Sequence, residues 1–206
     1  MPPQSTLETQ LAVVAGFDSP DVHLEQYRTP PEIAAAVIHR ADLEGDIADR
    51  QVADLGCGTG MLALGAALRG ASTVVGVDID PAPLRTAMAN ARKVGARSAV
   101  GWVCADARAV PLVDIDTVVM NPPFGAQQTA RHADRGFLET AAAIAEVSYS
   151  IHNAGSEGFV EAFVEDEGGV VDAAFSATLT VPPTYEFHSA EAATIDAEVY
   201  RIRWAG

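Results

Sequence analysis

The stretch V-A-D-L-G-C-G-T-G at residues 52–60 constrains this chain more than any other. An apolar run ends in three glycines at alternate positions, and a helical pattern starts at Met61. Glycines placed so let the backbone turn tightly and let a ligand approach the main chain closely. The spacing is G-x-G-x-G, not G-x-G-x-x-G, and no lysine follows, which makes a nucleoside triphosphate a poor fit. Short apolar runs alternate with helical patterns around this turn. Strands are predicted at 51–55, 73–78, 98–104 and 115–120, and helices at 61–69 and 81–94. Strands that alternate with helices pair in parallel through right-handed crossovers, so the fold class is α/β with a doubly wound sheet.

The flanks complete the pattern. Residues 5–15 carry Leu7, Leu11 and Val14 at helical spacing, with Ser5 and Glu8 as a capping box. Pro30 and Pro31 open a second helix, since proline is tolerated in a first turn. After residue 130 the spacing predicts a helix at 136–146, a strand at 148–152 and a helix at 156–166. Two long strands follow at 170–181 and 193–203, forming an antiparallel hairpin at one edge. The whole chain, 1–206, is expected to be one domain, with 1–45 as a helical segment covering a ligand and 50–206 as the core.

Composition excludes several classes. No apolar run approaches the roughly 20 residues of a membrane span, and no cationic-then-apolar leader opens the chain, so a cytoplasmic, membrane-free protein is expected. Cys57 and Cys104 are too few for a zinc site or a disulfide framework, and no metal is expected. The net charge is −15, Lys93 is the single lysine and alanine occurs 38 times. Such a surface suits a salt-rich cytoplasm, where the screening length falls to about 3 Å at 1 M and carboxylates repel one another weakly.

Three carboxylates follow the glycine turn's logic. Asp78 ends the second strand, 22 positions after Gly56, where it can accept hydrogen bonds from both hydroxyls of a ribose. Asp106 follows the third strand, placed for an adenine amino group. Asp54 precedes Gly56 and Gly58, placed to orient the turn or receive a ligand ammonium. Singly, each aspartate is as well explained as a helix cap; together with the glycines they resemble the S-adenosylmethionine site of Rossmann-like methyltransferases. That resemblance implies a seven-stranded, mostly parallel sheet in the order 3-2-1-4-5-7-6.

Asn121-Pro122-Pro123-Phe124 comes directly after the apolar strand I-D-T-V-V-M. An amine on an aromatic ring is a poor nucleophile because its lone pair is delocalised. The side-chain carbonyl of Asn121 and the backbone carbonyl of Pro122 can accept its two N–H groups and favour a pyramidal nitrogen. Two prolines keep those acceptors aimed, and Phe124 offers a flat face for stacking. This segment is similar to that of the amino-methyltransferases.

Further motifs narrow the resemblance: L-E-Q-Y-R-T-P (24–30), G-F-L-E-T-A (136–141), Y-S-I-H (149–152), P-P-T-Y-E-F-H (182–188) and the ending I-D-A-E-V-Y-R-I-R-W. From about Leu24 to Trp204 the chain resembles the methyltransferase-like protein 5 family and its archaeal relatives; its acidity suits a halophilic member, with an ordinary acidic protein as the other reading. The family makes N6-methyladenosine in small-subunit ribosomal RNA. The resemblance implies that Gln26, Tyr27 and Thr29 close over the methionine end of S-adenosylmethionine. It puts Asp54, Gly56 and Gly58 beneath the cofactor, Asp78 on the ribose, Asp106 on the adenine and Asn121 against the cofactor as well. Asn121, Pro122, Pro123 and Phe124 would hold the target base, with Tyr185 and Phe187 lining its approach. His152 and His188 lack a metal-spaced partner and read as structural or RNA-facing. The family also implies a heterodimer with a small zinc-binding methyltransferase activator, docked on the apolar edge strand at 98–104, where Trp102 is a candidate contact.

One departure stands out. The lysines that relatives carry after Y-S-x-H and Y-x-F-H are replaced here by N-A-G-S-E and S-A-E-A-A. Arg28, Arg131 and Arg135 remain for phosphate, and in molar salt such contacts gain little from counterion release. Two other functions fit parts of the pattern: methylation of a protein glutamine, as on release factors, and a non-catalytic, S-adenosylmethionine-binding role in ribosome assembly.

Overall fold

The computed structural model describes residues 2–123, 133–181 and 193–205. Seven strands form one sheet in the order β3-β2-β1-β4-β5-β7-β6. These are β1 (Gln51–Leu55), β2 (Thr73–Asp78), β3 (Val100–Cys104), β4 (Ile115–Met120), β5 (Ala145–Asn153), β6 (Val170–Val181) and β7 (Ala193–Arg203). Strands β1 to β5 are parallel, and β7 runs antiparallel to both of its neighbours. The order and the edge hairpin match the expectation.

Side-chain alternation along each strand builds a core on both faces. Val52 and Val119 point to one face, Ala53, Leu55, Val118 and Met120 to the other. On the first face lie α1 (Gln4–Leu11), α2 (Pro31–Leu43) and α3 (Met61–Leu68); α3 is apolar nearly all round and almost wholly buried. The second face is covered by α5 (Ala133–Ile144) and α6 (Glu157–Asp166), through Phe137, Leu138, Val160, Phe163 and Val164. Between β2 and β3 runs α4 (Pro81–Lys93), with Pro81 in its first turn and Asp80 Oδ1 accepting from Ala82 N at 2.8 Å. Among the described residues no helix is long and apolar enough to cross a membrane.

Two local expectations are corrected. Ser5 and Glu8 form no capping box: the helix starts at Gln4 with Pro3 as N-cap and no side-chain cap bond, so Ser5 already lies inside it. The α5–β5 boundary falls earlier than expected. The alanine-rich 141–145 run favours helix by propensity, yet Ala145 pairs with Ile115 and sheet pairing takes over without a breaker.

The hairpin is fastened to the body by a partly buried polar knot. Asp46, between α2 and β1, accepts from Tyr149 Oη at 2.6 Å and from Arg201 Nε at 2.8 Å. Arg201 also pairs with Asp172 on β6. Burial and the Asp46 carboxylate push the Tyr149 hydroxyl pKa far up, so it stays a donor. Asp46→Asn would leave the Arg201 charge, with a side chain 12% exposed, to the half-exposed Asp172 alone. It should cost about 2–3 kcal/mol, lowering Tm by roughly 5–10 °C in thermal unfolding.

Candidate active site

Where the parallel strands end, the chain must turn, and the turns enclose a cavity of about 470 Å³. Gln26, Tyr27, Gly56, Gly58, Asp78, Asp106, Asn121 and Pro123 all line it. Thr29 lines a small adjoining recess that also touches Gly58 and Asn121. Sequence positions spread over nearly a hundred residues are thus brought to one place. Pro122 is buried beside them, and Asp54 lies beneath at 1% exposure. Phe124, Arg131, Tyr185, Phe187 and His188 lie outside the described residues.

The glycine turn is made by crowding as much as by conformation. Gly58 has φ +50°, and a Cβ there would sit 2.8 Å from Cζ of Phe17. Gly60, φ +89°, is the N-cap of α3, and a Cβ there would sit 2.6 Å from Cη2 of Trp102. Trp102 therefore packs inward on the glycine turn. Its ring, half-buried on the edge strand, fills the space that glycine leaves open.

Backbone N–H groups freed by the turn are taken by carboxylates. Asp78 Oδ2 accepts from Gly58 N at 2.8 Å, and its Oδ1 from Asp80 N at 2.9 Å. Burial raises the Asp78 pKa, partly countered by those bonds. Asp54 Oδ2 accepts from Ala63 N at 2.8 Å, in the first turn of α3. Burial pushes its pKa up to about 7, with the Asp78 charge adding and the Ala63 bond opposing. Asp106 is gripped by Arg108, whose Nη2 donates to Oδ2 at 2.7 Å and whose Nε donates to Oδ1 at 2.9 Å. The Arg108 bonds hold the Asp106 pKa below the usual carboxylate range.

A connection from α1 to α2 forms the opposite wall. Gln26 Nε2 donates to Asp80 Oδ2 at 2.9 Å, and Gln26 Oε1 accepts from Asp21 N at 2.8 Å. The connection is pinned at its base by Asn90, which donates to the Ala15 carbonyl and accepts from Ala15 N. Asn121 Nδ2 donates to Thr29 Oγ1 at 3.0 Å. Asn121 Oδ1 is buried, and among the described residues no donor reaches it. A buried carbonyl oxygen held this way is an acceptor waiting for a donor.

Phe17, Arg108 and Phe137 are among the cavity residues to which the sequence assigned no role. Phe137, in the G-F-L motif, covers Gly56, but as one apolar helix residue it carries no separate sequence signal. His152 is 1% exposed, hydrogen-bonded to Ser150 Oγ at 2.6 Å and 3.4 Å from Asp134, so it holds structure together. Arg135 pairs with Glu139 and lies over the Phe163 ring. Arg28 is exposed and packs along Gly16.

The set of carboxylate acceptors fits a ribonucleoside with a cationic tail. Asp78 can take vicinal hydroxyls, Asp106 has acceptor capacity for an amino group, and the crowded glycines leave main chain open to close approach.

Asp54 gives this arrangement a pH test. Its pKa of about 7 lies above the ordinary value near 4, so its stabilising contribution is complete below about pH 4 and is lost as pH rises to about 7. Relative to Asp54→Asn, the unliganded protein should lose about 1 kcal/mol per pH unit across that window and run parallel above it, in denaturant titrations at several pH values.

Residues 35–147 match the family model for the methyltransferase small domain. Protein MJ0284 of Methanocaldococcus jannaschii is 36% identical over 97% of this chain and 94% of its own length. The rRNA N(6)-adenosine-methyltransferase Mettl5 of Drosophila melanogaster is 32% identical, covering 95% of this chain and 94% of the relative. The crystal structure of protein PH1948 from Pyrococcus horikoshii superposes with a TM-score of 0.91 at 36% identity, each chain covered completely. The chain therefore belongs to the small-domain methyltransferases, in the family that holds the METTL5 rRNA N(6)-adenosine-methyltransferases, and it is an enzyme whose methyl donor is S-adenosylmethionine.

Proposed function

We propose that this enzyme methylates the N6 amine of an adenosine in small-subunit ribosomal RNA. The observation that carries the reading is the buried Asn121 Oδ1, aimed at no donor of the described residues while Nδ2 is held by Thr29. The relatives named as rRNA N(6)-adenosine-methyltransferases support both the base and the RNA.

When bound, S-adenosylmethionine supplies a methyl group on a cationic sulfur. Asp78 would hold its ribose, Asp106 its adenine, and Gly56 and Gly58 its floor, with Asp54 ordering the turn below. Gln26, Tyr27 and Thr29 would close over the methionine end. Asn121 Oδ1 and the Pro122 carbonyl accept the two N–H groups of the target amine, which turns its lone pair out of the ring plane. Pro123 stiffens the acceptor loop, and Phe124 stacks on the base. Catalysis is then mostly positioning and polarisation. No base is required, because the N-methylated amine is acidic enough to release its proton to water.

The −15 charge supports a cytoplasm rich in salt and a halophilic member of the family, where RNA is held by stacking and shape more than by phosphate contacts. Strand β3 is an edge of the sheet, and its Val103 side chain is exposed. That edge supports docking of the small zinc-binding activator by strand addition.

The test is methyl transfer from labelled S-adenosylmethionine to small-subunit rRNA in molar KCl, with and without the activator. Label should appear as N6-methyladenosine at one site. Asn121→Ala should lower the rate about hundredfold or more while S-adenosylmethionine still binds. Label in a protein glutamine instead, or an unchanged rate in the variant, would overturn the reading.

A further inference from the structure

We propose that Thr29 is a positioning residue for methyl transfer, acting through the Asn121 side-chain amide. The inference rests on the reading of Asn121 Oδ1 as acceptor for the target amine and assigns the group that keeps it available. An asparagine amide has two orientations a half-turn apart, which exchange an acceptor oxygen for a nitrogen carrying two donors. Only one of them meets an N–H of the target amine with an oxygen; the other opposes donor to donor. The two prolines fix the backbone beyond Asn121 but do not choose between these orientations.

Thr29 makes that choice once an amine is present. Its Oγ1 lies 3.0 Å from Asn121 Nδ2 and accepts from it, and Thr29 is 8% exposed, so water competes poorly for the bond. A hydroxyl can serve either end of an amide. With an amine at the other end, however, only the orientation with Nδ2 on Thr29 leaves both ends of the amide satisfied. Without the hydroxyl, the reactive orientation would bury Nδ2 with no acceptor from Thr29.

The location adds a second consequence. Thr29 closes the same connection that places Gln26 and Tyr27 on the cofactor cavity, and Gln26 is tied to Asp80 at the start of α4. The wall of the cofactor cavity and the orientation of the substrate acceptor are therefore set by one short segment. This link is invisible in the sequence, where Thr29 and Asn121 stand 92 positions apart.

The experiment compares wild type, Thr29→Val and Thr29→Ser at saturating S-adenosylmethionine and saturating rRNA. Valine keeps the shape and removes the acceptor, and kcat should fall about tenfold, whatever happens to KM for the cofactor. Serine returns the hydroxyl and should restore kcat to within about threefold of wild type, which a merely structural defect would not do. A Thr29→Val enzyme with wild-type kcat, or a loss confined to the cofactor's KM, would overturn the proposal. Wild-type enzyme that makes no N6-methyladenosine would remove the reading beneath it, an outcome distinct from either.

Discussion

The turn from β1 into α3 is packed between aromatic rings, and much of the site depends on that crowding. Phe17 stands over Gly58, Phe137 over Gly56 and Trp102 over Gly60, so the main chain has nowhere to put a side chain. Positive φ angles follow, and they swing backbone N–H groups toward the ends of neighbouring strands. Asp78 and Asp54 take two N–H groups of the turn and the helix that follows it. A larger residue at 58 or 60 would displace a ring first and then the carboxylate that the turn supports. The same aromatic packing that closes the core thus shapes the cavity.

Opposite this rigid floor stands a wall built from a different part of the chain. The α1–α2 connection contributes Phe17, Gln26, Tyr27 and Thr29, tied down by side-chain bonds to Asp80, Asn90 and Asn121. Helices α1 and α2 themselves pack on the sheet face with α3 and do not line the cavity. The arrangement separates two tasks: the helices contribute core, and the short connection between them contributes the cavity wall. Far from this wall, the Asp46–Tyr149–Arg201 knot keeps the C-terminal hairpin registered on β5, whose neighbour β4 delivers Asn121.

Much of the architecture was legible because each strand carries a clean apolar run bounded by turn residues. Strands β1, β2, β4, β6 and β7 fall at their expected limits, since apolar and β-branched residues recur along them between turn or charged residues. Strand β3 starts two residues late, because Ser98 and Ala99 are used in the turn before it. The helix-to-strand passage at residue 145 was not legible, since alanine propensity gives no hint that pairing with β4 will prevail. Residues with a distinctive chemistry at strand ends, such as Asp78 and Asn121, could be singled out. Phe17, Arg108 and Phe137 could not, because common residue types become cavity walls only through long-range packing. The Thr29–Asn121 bond is the clearest case: neither residue's neighbours in sequence point to the other.

In the proposed reaction, Asn121 Oδ1 receives the target amine beside the methyl donor. This is tested most directly by a crystal structure with a bisubstrate analogue that joins the N6 of adenosine to the S-adenosylmethionine skeleton. The linked N6 is expected within hydrogen-bond reach of Asn121 Oδ1 and the Pro122 carbonyl, with Asn121 Nδ2 still on Thr29. A complex in which N6 is held by other groups, or in which Asn121 turns its amide nitrogen toward the base, would contradict the account.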